Sequence, residues 1–243
     1  MYNVVWLKKD LRLHDHAPLA HAIQSELPTL VLFVVENEWF KQADFANRHW
    51  RFAYECLIDI GKKLNHSTQI LHVLQGDIIQ LFEDLITTHG PFNLYSHEET
   101  GKNFTFTRDK KVKKLIQSKG LRWYEFQQFA VIRGLAERSN WTKEWNDFMT
   151  KPLFKVEIDQ LIPFSLQKEL TDSYKLSSHP VKELELQEGG EAKALTLWED
   201  FTAKRHKNYS RHISKPLESR TSCSRLSPHL TWGSISLHKI IRD

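Results

Sequence analysis

The chain has 243 residues, enough for one large domain or for one domain and part of a second. Hydrophobic residues make up 40% of it, charged residues 26%, and glycine with proline only 17 positions, which excludes collagenous, low-complexity and wholly disordered proteins. The formal net charge of +4 is too small to indicate a binding partner by itself.

The lengths of the apolar runs and the positions of the two cysteines restrict the class of protein further. No run approaches the ~20 apolar residues of a membrane span, and the N-terminus does not have the pattern of a signal peptide, so we expect a cytoplasmic protein. Cys56 and Cys223 are far apart and neither belongs to a Cys-x-x-Cys motif. They predict neither a disulfide framework nor a structural zinc site.

Up to about residue 126, short apolar runs alternate with longer segments of helical periodicity, which is typical of a parallel sheet covered by helices. We predict strands at 3–7, 29–35, 69–74, 92–95 and 122–126, and helices at 18–24, 45–64, 78–88 and 107–118. Right-handed crossovers then give an α/β fold with a doubly wound, Rossmann-like, five-stranded parallel sheet.

The sequence changes character after the fifth predicted strand. Residues 127–190 lose the alternation and are interrupted by prolines, and a helical pattern returns near Glu191. We predict an α/β domain over 1–130, a connector over 131–190 and the beginning of an all-α domain over 191–243.

The last predicted region is strongly basic. From 201 to 243, nine Lys or Arg residues stand against two acids, a local balance of +7. An anion such as DNA or a cofactor phosphate would be attracted to this end of the chain. A solvated basic face is the alternative.

Charged residues follow three of the predicted strands. The residues are Lys8, Lys9, Asp10 and Arg12 after the first strand, Glu36 after the second, and His97, Glu98, Glu99 and Thr100 after the fourth. Because ligands bind beyond the carboxyl ends of parallel strands, these residues could line one polar pocket. Loops of solvated charges are the alternative.

Several motifs are absent from the sequence. The loop after the first strand has no glycine, and the chain contains no Gly-Lys-Ser or Gly-Lys-Thr phosphate loop and no Gly-x-Ser-x-Gly elbow. His14 and His16 have no convincing third ligand nearby in sequence, so we expect no metal ion. The sequence therefore lacks the motifs that usually indicate NAD binding, ATP binding or serine hydrolase activity.

A hydroxyl-rich segment, TSCSRLSP, occupies residues 221–228. Ser227 and Pro228 are predicted as the N-cap and first-turn pair of a short helix that Gly233 ends. Hydroxyls, free amides and Arg225 at a helix N-terminus form a combination that holds phosphate. A plain capped turn is the alternative.

Three segments together resemble the photolyase and cryptochrome family of flavoproteins. They are VVWLKKDLRLHDHAPL at 4–19, SHEETGKNFTFTRDKKV at 96–112 with the following EFQQFAVIRGL, and SCSRLSPHLTWGSIS at 222–236. The resemblance spans essentially the whole chain. It implies an α/β domain with an antenna pocket, a long connector, and a helical FAD-binding domain of which this chain, expected to be a fragment that is inactive alone, holds only the beginning.

The resemblance also implies site residues, although it assigns no catalytic residue to this chain. It places the FAD phosphates at Tyr209, Cys223, Ser224, Arg225, Leu226 and Ser227, and an antenna chromophore of undetermined identity at Lys9, Asp10, Arg12, Glu36, Glu99 and Lys102. Two positions depart from the family pattern. Cys223 stands where Thr is common, although Thr221 and Ser222 offer neighbouring hydroxyls, and Ile213 stands where many members have an arginine that meets DNA.

The leading hypothesis is that the complete protein is a DNA photolyase, in which light-excited reduced FAD splits a pyrimidine dimer in damaged DNA. The runner-up is a cryptochrome, a photoreceptor without repair activity. A pigment-binding module without turnover, or a nucleotide-binding protein with phosphate at the loops after the first and fourth strands, are the other hypotheses. No membrane partner is expected, and the oligomeric state stays open.

Overall fold

Five parallel strands form one sheet in the order β3-β2-β1-β4-β5 in a computed structural model that describes residues 1–65, 70–135, 137–180 and 186–243. The strands are β1 (Tyr2–Leu7), β2 (Thr29–Val35), β3 (Leu71–Gln75), β4 (Phe92–His97) and β5 (Arg122–Phe126). This confirms the predicted doubly wound five-stranded α/β fold. The predicted start of the third strand, Gln69, lies outside the described residues.

The helices on the sheet agree with the helical periodicity of the sequence. They are α1 (Ala17–Gln24), α2 (Asn47–Leu64), α3 (Ile78–His89) and α4 (Asn103–Ser118). Residues of α1 and α2 share one buried cluster with one face of the strands, and residues of α3 and α4 share a second cluster with the other face. Because both faces are covered, β2 is a continuous apolar run with every residue buried.

Most predicted boundaries agree with the structure to within two residues, and two of the differences have a clear cause. β4 continues beyond Tyr95 to His97, because Ser96 and His97 stay in register with β5 although their polarity resembles a loop. α4 begins at Asn103, four residues before the predicted start, and its first turn is polar and aromatic. Polar residues at the end of a buried strand or helix interrupt its apolar periodicity, so the sequence pattern does not show where the element ends.

The segment predicted as a connector wraps around the sheet. The backbone of Thr29 exchanges hydrogen bonds with Ile162 and Phe164 at 2.8 and 3.2 Å, and the Phe164 ring stacks on Tyr2 with centroids 3.9 Å apart. Helices α5 (Trp141–Met149) and α6 (Lys168–Ser173) lie within it. Residues 136 and 181–185 of the predicted connector lie outside the described residues.

The C-terminal part of the described chain is helical. Its helices are α7 (Glu191–Ala203), α8 (Tyr209–His212), α9 (Ser219–Ser222), α10 (Ser227–Trp232) and α11 (Leu237–Arg242). Arg205 joins two of these stretches, because its guanidinium donates to the carbonyl oxygens of Leu197 and Cys223 at 2.8 and 2.7 Å. Across the described ranges, no helix has the length and apolar character needed to cross a bilayer.

The end of α10 docks against the loop after β1. Leu11 N donates to Trp232 O at 3.0 Å, and Gly233 adopts a left-handed φ of +66°. A Cβ atom on Gly233 would overlap the Lys9 carbonyl oxygen and the Asp10 backbone. Glycine is therefore required both by the backbone angle and by the closeness of the two segments.

We expect Gly233→Ala to destabilise the fold by about 3 kcal/mol or more, because it adds a backbone overlap to the strain of a left-handed alanine. Gly120 is a matched control, since its φ is +65° but its Cβ position faces open space. Gly120→Ala should cost only about 1 kcal/mol. Urea unfolding measures both free energies, and equal losses in the two variants would contradict the close contact at Gly233.

Candidate functional site

The candidate site lies where the strand order reverses. β1 lies between β2 and β4, and the chain leaves β1 toward one edge of the sheet and β4 toward the other. A crevice therefore forms between these two strands at their carboxyl ends. The structure brings both loops together with the segment after β2 and with α10. The crevice is thus shared by the sheet and the C-terminal helices.

A cavity of about 170 Å³ opens in this crevice. Three of the predicted antenna residues, Lys9, Glu99 and Lys102, line it. Burial lowers the pKa of Lys9, and Lys102 forms an ion pair with Asp44 at 2.5 Å. The aromatic part of the wall consists of Trp39, Phe45, Phe104 and Trp232. The cavity therefore combines flat apolar walls with charges of both signs.

Glu36 lies beside this cavity in a buried network of ion pairs. Its Oε2 accepts a hydrogen bond from Arg108 Nη1 at 2.7 Å, and the same guanidinium binds Asp109 at 2.8 Å. Lys8 Nζ donates to the other Asp109 oxygen at 2.8 Å. Burial raises the pKa of Glu36, and the charge of Arg108 opposes that rise. Arg108 and Lys8 thus pair with the carboxylates of Glu36 and Asp109, so these carboxylates are not available to a ligand.

Asp10, another predicted antenna residue, is completely buried away from the cavity. Its Oδ1 accepts from Lys8 N at 2.6 Å, and its Oδ2 lies 2.7 Å from His97 Nδ1 and 3.2 Å from His16 Nε2. Burial alone would raise the pKa of Asp10, but its contacts with the two imidazoles hold it well below its usual value. Burial lowers the pKa of His97 to about 3, so an ionised Asp10 faces a neutral His97 at pH 7.

The ligand atoms of Asp10, His16 and His97 all lie within 4.8 Å of one another, a spacing that a metal ion could bridge. Leu19 N donates to His16 Nδ1 at 3.2 Å, so this ring carries its proton on Nε2, facing Asp10. A metal on Nε2 would move that proton to Nδ1, opposite the Leu19 N–H. The cluster therefore fits a hydrogen-bonded carboxylate. The sequence pattern placed His97 after the fourth strand, among residues that could line a polar pocket, but did not indicate its contact with Asp10.

The Arg12 side chain forms its hydrogen bonds with backbone carbonyl groups. Its buried guanidinium donates to the carbonyl oxygens of His14, Asp15 and Gly233 at 3.0, 2.8 and 3.0 Å. Each of these acceptors is a main-chain group, and one of them belongs to the C-terminal segment. Arg12 therefore fixes the loop after β1 and ties it to the end of α10.

A second tie joins α7 to the same loop. The carboxylate of Glu191 accepts from the backbone N–H groups of Leu13 and His14 at 3.0 and 2.9 Å and from the His14 ring. Its other oxygen binds Lys63 of α2 at 2.7 Å. Burial would raise the pKa of Glu191, but these donors lower it far below the usual range. The sequence pattern indicates only that a helix begins near Glu191.

The predicted phosphate segment forms the entrance to α10, with one correction. Ser227 is the first residue of the helix and not its N-cap, because Leu226 already has φ −83° and ψ −9° and its carbonyl accepts from Leu230 N at 2.8 Å. The prediction that Gly233 ends this helix is confirmed by its left-handed C-cap. The helix therefore starts one residue earlier than the hydroxyl pattern indicates.

The structure places the predicted FAD residues at different depths. Arg225 and Ser227 line a groove of about 420 Å³ between α2 and α10, and Leu226 is buried beneath them. The groove lies next to the cavity, and Thr231 and Trp232 contribute to both.

The other three predicted FAD residues lie away from the groove lining. The carbonyl oxygens of Cys223 and Ser224 point to the Arg205 guanidinium, at 2.7 and 3.5 Å. Tyr209 packs edge-on against Phe201 with centroids 5.9 Å apart, and 38% of its surface is exposed. Arg205 therefore fixes the backbone that leads into the groove.

Comparison with known sequences finds one family. A family model described as DNA photolyase matches residues 3–134. Cryptochrome-1 of Sylvia borin is 28% identical over 121 residues, which cover 49% of this chain and 19% of that protein. The deoxyribodipyrimidine photo-lyase of Buchnera aphidicola is 26% identical over 251 residues, which cover 96% of this chain and 51% of that protein. The chain thus spans about half the length of this relative.

Solved structures share the fold. A cryptochrome from Synechocystis aligns with a TM-score of 0.76 and 19% identity, over 99% of this chain and 54% of that chain. A class III photolyase from Agrobacterium tumefaciens aligns with a TM-score of 0.74 and 19% identity, over 99% of this chain and 52% of that chain. At these identities the likeness concerns the fold.

Buried neutral histidines make stability depend on pH. Burial lowers the pKa of His229 to about 4, whereas an unfolded histidine titrates near ~6.5. The unfolded chain therefore binds more protons between these values, and stability is lost as the pH falls through this window. We expect His229→Gln to reduce the slope of unfolding free energy against pH, between about pH 6 and 4.5, by roughly one proton. Urea unfolding at each pH measures it, and an unchanged slope would contradict the neutral His229.

Proposed function

The chain belongs to the DNA photolyase family, and from this premise we propose that it is the N-terminal half of a light-dependent DNA repair enzyme that uses FAD. The observation that carries the proposal is the extent of sequence similarity. Similarity to the Buchnera deoxyribodipyrimidine photo-lyase runs over 96% of this chain, whereas similarity to Cryptochrome-1 covers 49%. This similarity over almost the whole chain is what supports the proposal of repair.

The groove at α10 is the part of this chain that suits FAD. Arg225 and Ser227 present a guanidinium and a hydroxyl to it, the groups that bind phosphate oxygens. When bound and reduced, FAD would supply the light-excited electron that splits a pyrimidine dimer. The groups that hold it here would contact its phosphates, and the remainder of its site would belong to chain beyond residue 243.

Because residue 223 is a cysteine where threonine is common, this segment offers one hydroxyl fewer to a phosphate. Thr221 and Ser222, the neighbours that might replace the missing threonine, both donate to the Glu218 carbonyl oxygen, at 3.0 and 2.8 Å. Their protons are therefore already in use. Of the serines in this segment, Ser227 is the one whose side chain lines the groove and is left for the proposed flavin contact.

The cavity fits an antenna pigment less well than the groove fits FAD phosphates. Its volume of about 170 Å³ lies below the ~300–1,000 Å³ of clefts that enclose drug-sized ligands. Asp10 and Arg12 bond within the protein, and Glu36 pairs with Arg108. A whole tricyclic pigment would need Trp39 or Phe45 to move, and the proposed repair function does not depend on one.

Damaged DNA would approach the basic C-terminal end. Lys204, Lys207, Arg211 and Lys215 are all exposed around α8 and can attract phosphates. Ile213, which replaces the arginine common in the family, is also exposed. Cys56 and Cys223 are both free, which favours a reducing, cytoplasmic setting for this reaction.

A cryptochrome is the second candidate. Ile213 removes an expected DNA contact, and the fold resembles the Synechocystis cryptochrome over 99% of the chain. A photoreceptor on this scaffold would bind FAD through the same groove and lack repair. The two functions therefore differ in the DNA reaction and not in flavin binding.

The test uses the protein from the complete reading frame, purified and supplied with irradiated DNA under blue light. We expect loss of pyrimidine dimers, and we expect Ser227→Ala to weaken FAD retention at least about tenfold, since a charge-assisted hydrogen bond contributes roughly 1.5–3 kcal/mol. Gel filtration followed by the visible flavin spectrum measures retention.

Ser165→Ala is the matched control, because Ser165 is exposed and lies beside the sheet end that Phe164 covers. Its FAD retention should equal that of the wild type. Bound FAD without repair would favour the cryptochrome, and a protein that retains no FAD would overturn both candidates.

A further inference from the structure

The two edges of the sheet differ in how their backbone groups are bonded. At the β3 edge, the outward N–H groups of Leu71 and Gln75 donate to Asn65 Oδ1 at 3.0 Å and to Tyr174 O at 2.8 Å. Asn65 caps the end of α2, and Tyr174 follows α6 in the predicted connector. Two separate parts of the chain therefore complete the β3 edge.

β5, which forms the other edge, has outward backbone groups of the same kind. Phe126 O accepts from Glu98 N at 2.8 Å, so the backbone of Phe126 faces β4. Backbone groups alternate in direction along a strand, and those of Trp123 and Glu125 therefore face away from β4. Residues 1–65, 70–135, 137–180 and 186–243 provide no hydrogen-bond partner for them. Such a row of unpaired groups is a template for a further strand.

A groove of about 370 Å³ runs beside this open edge. We call it the edge groove, and it is formed mainly by Phe106, Lys110 and Lys113 of α4 and by Trp123 and Glu125 of β5. The Trp123 indole is held in place, because its Nε1 donates to Ser96 Oγ at 3.0 Å. A strand added beside β5 would point every second side chain toward the edge groove.

The charge left unpaired along the edge groove is positive. The two acids in its lining, Asp109 and Glu125, already bind cations at 2.8 and 2.9 Å. Lys110 and Lys113 are exposed and form no ion pair with a carboxylate of the described residues. Residue 136, close in sequence to the lining, lies outside the described residues and is an uncharged alanine. An acidic side chain would therefore find two cations available.

The opposite face of β5 suits a different kind of side chain. Tyr124 stacks on Tyr95 with ring centroids 4.8 Å apart, and 37% of its surface is exposed. Apolar side chains on a neighbouring strand would pack against this ring. An added strand therefore fits best when acidic residues, which face the lysines, alternate with apolar residues, which face Tyr124.

A second copy of this chain suits the edge less well. Two copies that paired along β5 by a two-fold axis would place their α4 helices side by side on the same face of one continuous sheet. Lys110 and Lys113 of each copy would then approach the same lysines of the other. Like charges repel, and proteins use lysines near open edges to prevent such pairing. The same lysines attract a strand of opposite charge.

We propose that the open edge of β5 docks an extended acidic segment of a partner protein. The backbone of that segment pairs with Trp123 and Glu125, and its carboxylates lie along Lys110 and Lys113. In this mode of recognition, main-chain hydrogen bonds supply affinity and alternate side chains supply specificity. The edge groove shares no lining residue with the cavity or with the groove at α10, so the proposal does not rest on flavin or DNA chemistry.

The probe for this site is a short, end-capped peptide that alternates glutamate and valine. Amide hydrogen exchange followed by NMR on the 243-residue chain gives the readout. We expect the Trp123 and Glu125 amides to exchange freely without peptide and to slow at least about tenfold at saturation. The Tyr124 amide, which faces β4, should be protected in both states. A peptide that alternates lysine and valine should protect none of them further.

Two pairs of lysines on the same helix separate charge from position. Lys110→Gln with Lys113→Gln should weaken binding of the acidic peptide about fivefold, since exposed ion pairs contribute modestly. Lys111→Gln with Lys114→Gln is the matched control, because both lysines are exposed on α4 and neither lines the edge groove. The control should bind the peptide as the wild type does.

A proline tests the backbone contact. Glu125→Pro removes an outward N–H and leaves the hydrogen bonds to β4 intact, a position where edge strands tolerate proline. It should weaken peptide binding at least about tenfold. Glu125→Gln is the control, because it also loses the ion pair with Arg133 but keeps the N–H. It should retain peptide binding.

Several results would overturn the proposal. They are failure of the acidic peptide to bind, equal protection by the basic peptide, and equal affinity in the two double lysine variants. Self-association that protects the Trp123 and Glu125 amides without peptide would assign the edge to a second copy instead. The exchange measurement is repeated on the protein from the complete reading frame. Protection of the same two amides there without peptide would show that the protein's own chain covers the edge.

Discussion

The buried guanidinium of Arg12 holds the start and the end of the described chain together. It donates to carbonyl groups of its own loop and to Gly233, while Leu11 and Trp232 add a backbone hydrogen bond beside it. The absence of a side chain on Gly233 lets the two segments touch. Because α10 supplies walls to both the cavity and the groove, neither binding space would keep its shape without this contact.

The protein distributes its buried and half-buried charges in two different ways. Around the cavity, Arg108 is matched by Glu36 and Asp109, and burial of such pairs stabilises mainly when every member is hydrogen-bonded. In the groove, Arg48 and Arg225 are left unmatched among the described residues. The first arrangement is internally complete, whereas the second leaves cationic side chains available to an anion. The groove is therefore the stronger candidate for ligand binding.

The fold could be predicted from the sequence, because apolar strands and amphipathic helices carry their own periodicity. The extension of β4 to His97 could not, since polar residues there are accommodated only by pairing with β5. The site was harder to predict. Arg12 bonds to backbone carbonyl oxygens, which residue types do not reveal. Arg48 and Arg225 line the same groove only after α10 docks. Whether the predicted FAD and antenna residues bind those groups stays a prediction.

Arg12 and Gly233 are 221 positions apart, and this separation has a bearing on biosynthesis. The five strands leave the ribosome well before Gly233 is translated, so in the nascent sheet the Arg12 donor that later meets Gly233 would bond to water. At that stage Trp39 also lacks the Trp232 ring that later lies 6.1 Å away. Contacts between distant segments form late because a long loop must close first. An exposed tryptophan on an otherwise folded intermediate is the kind of surface that chaperones bind, so release from the chaperone would coincide with docking of the final helices.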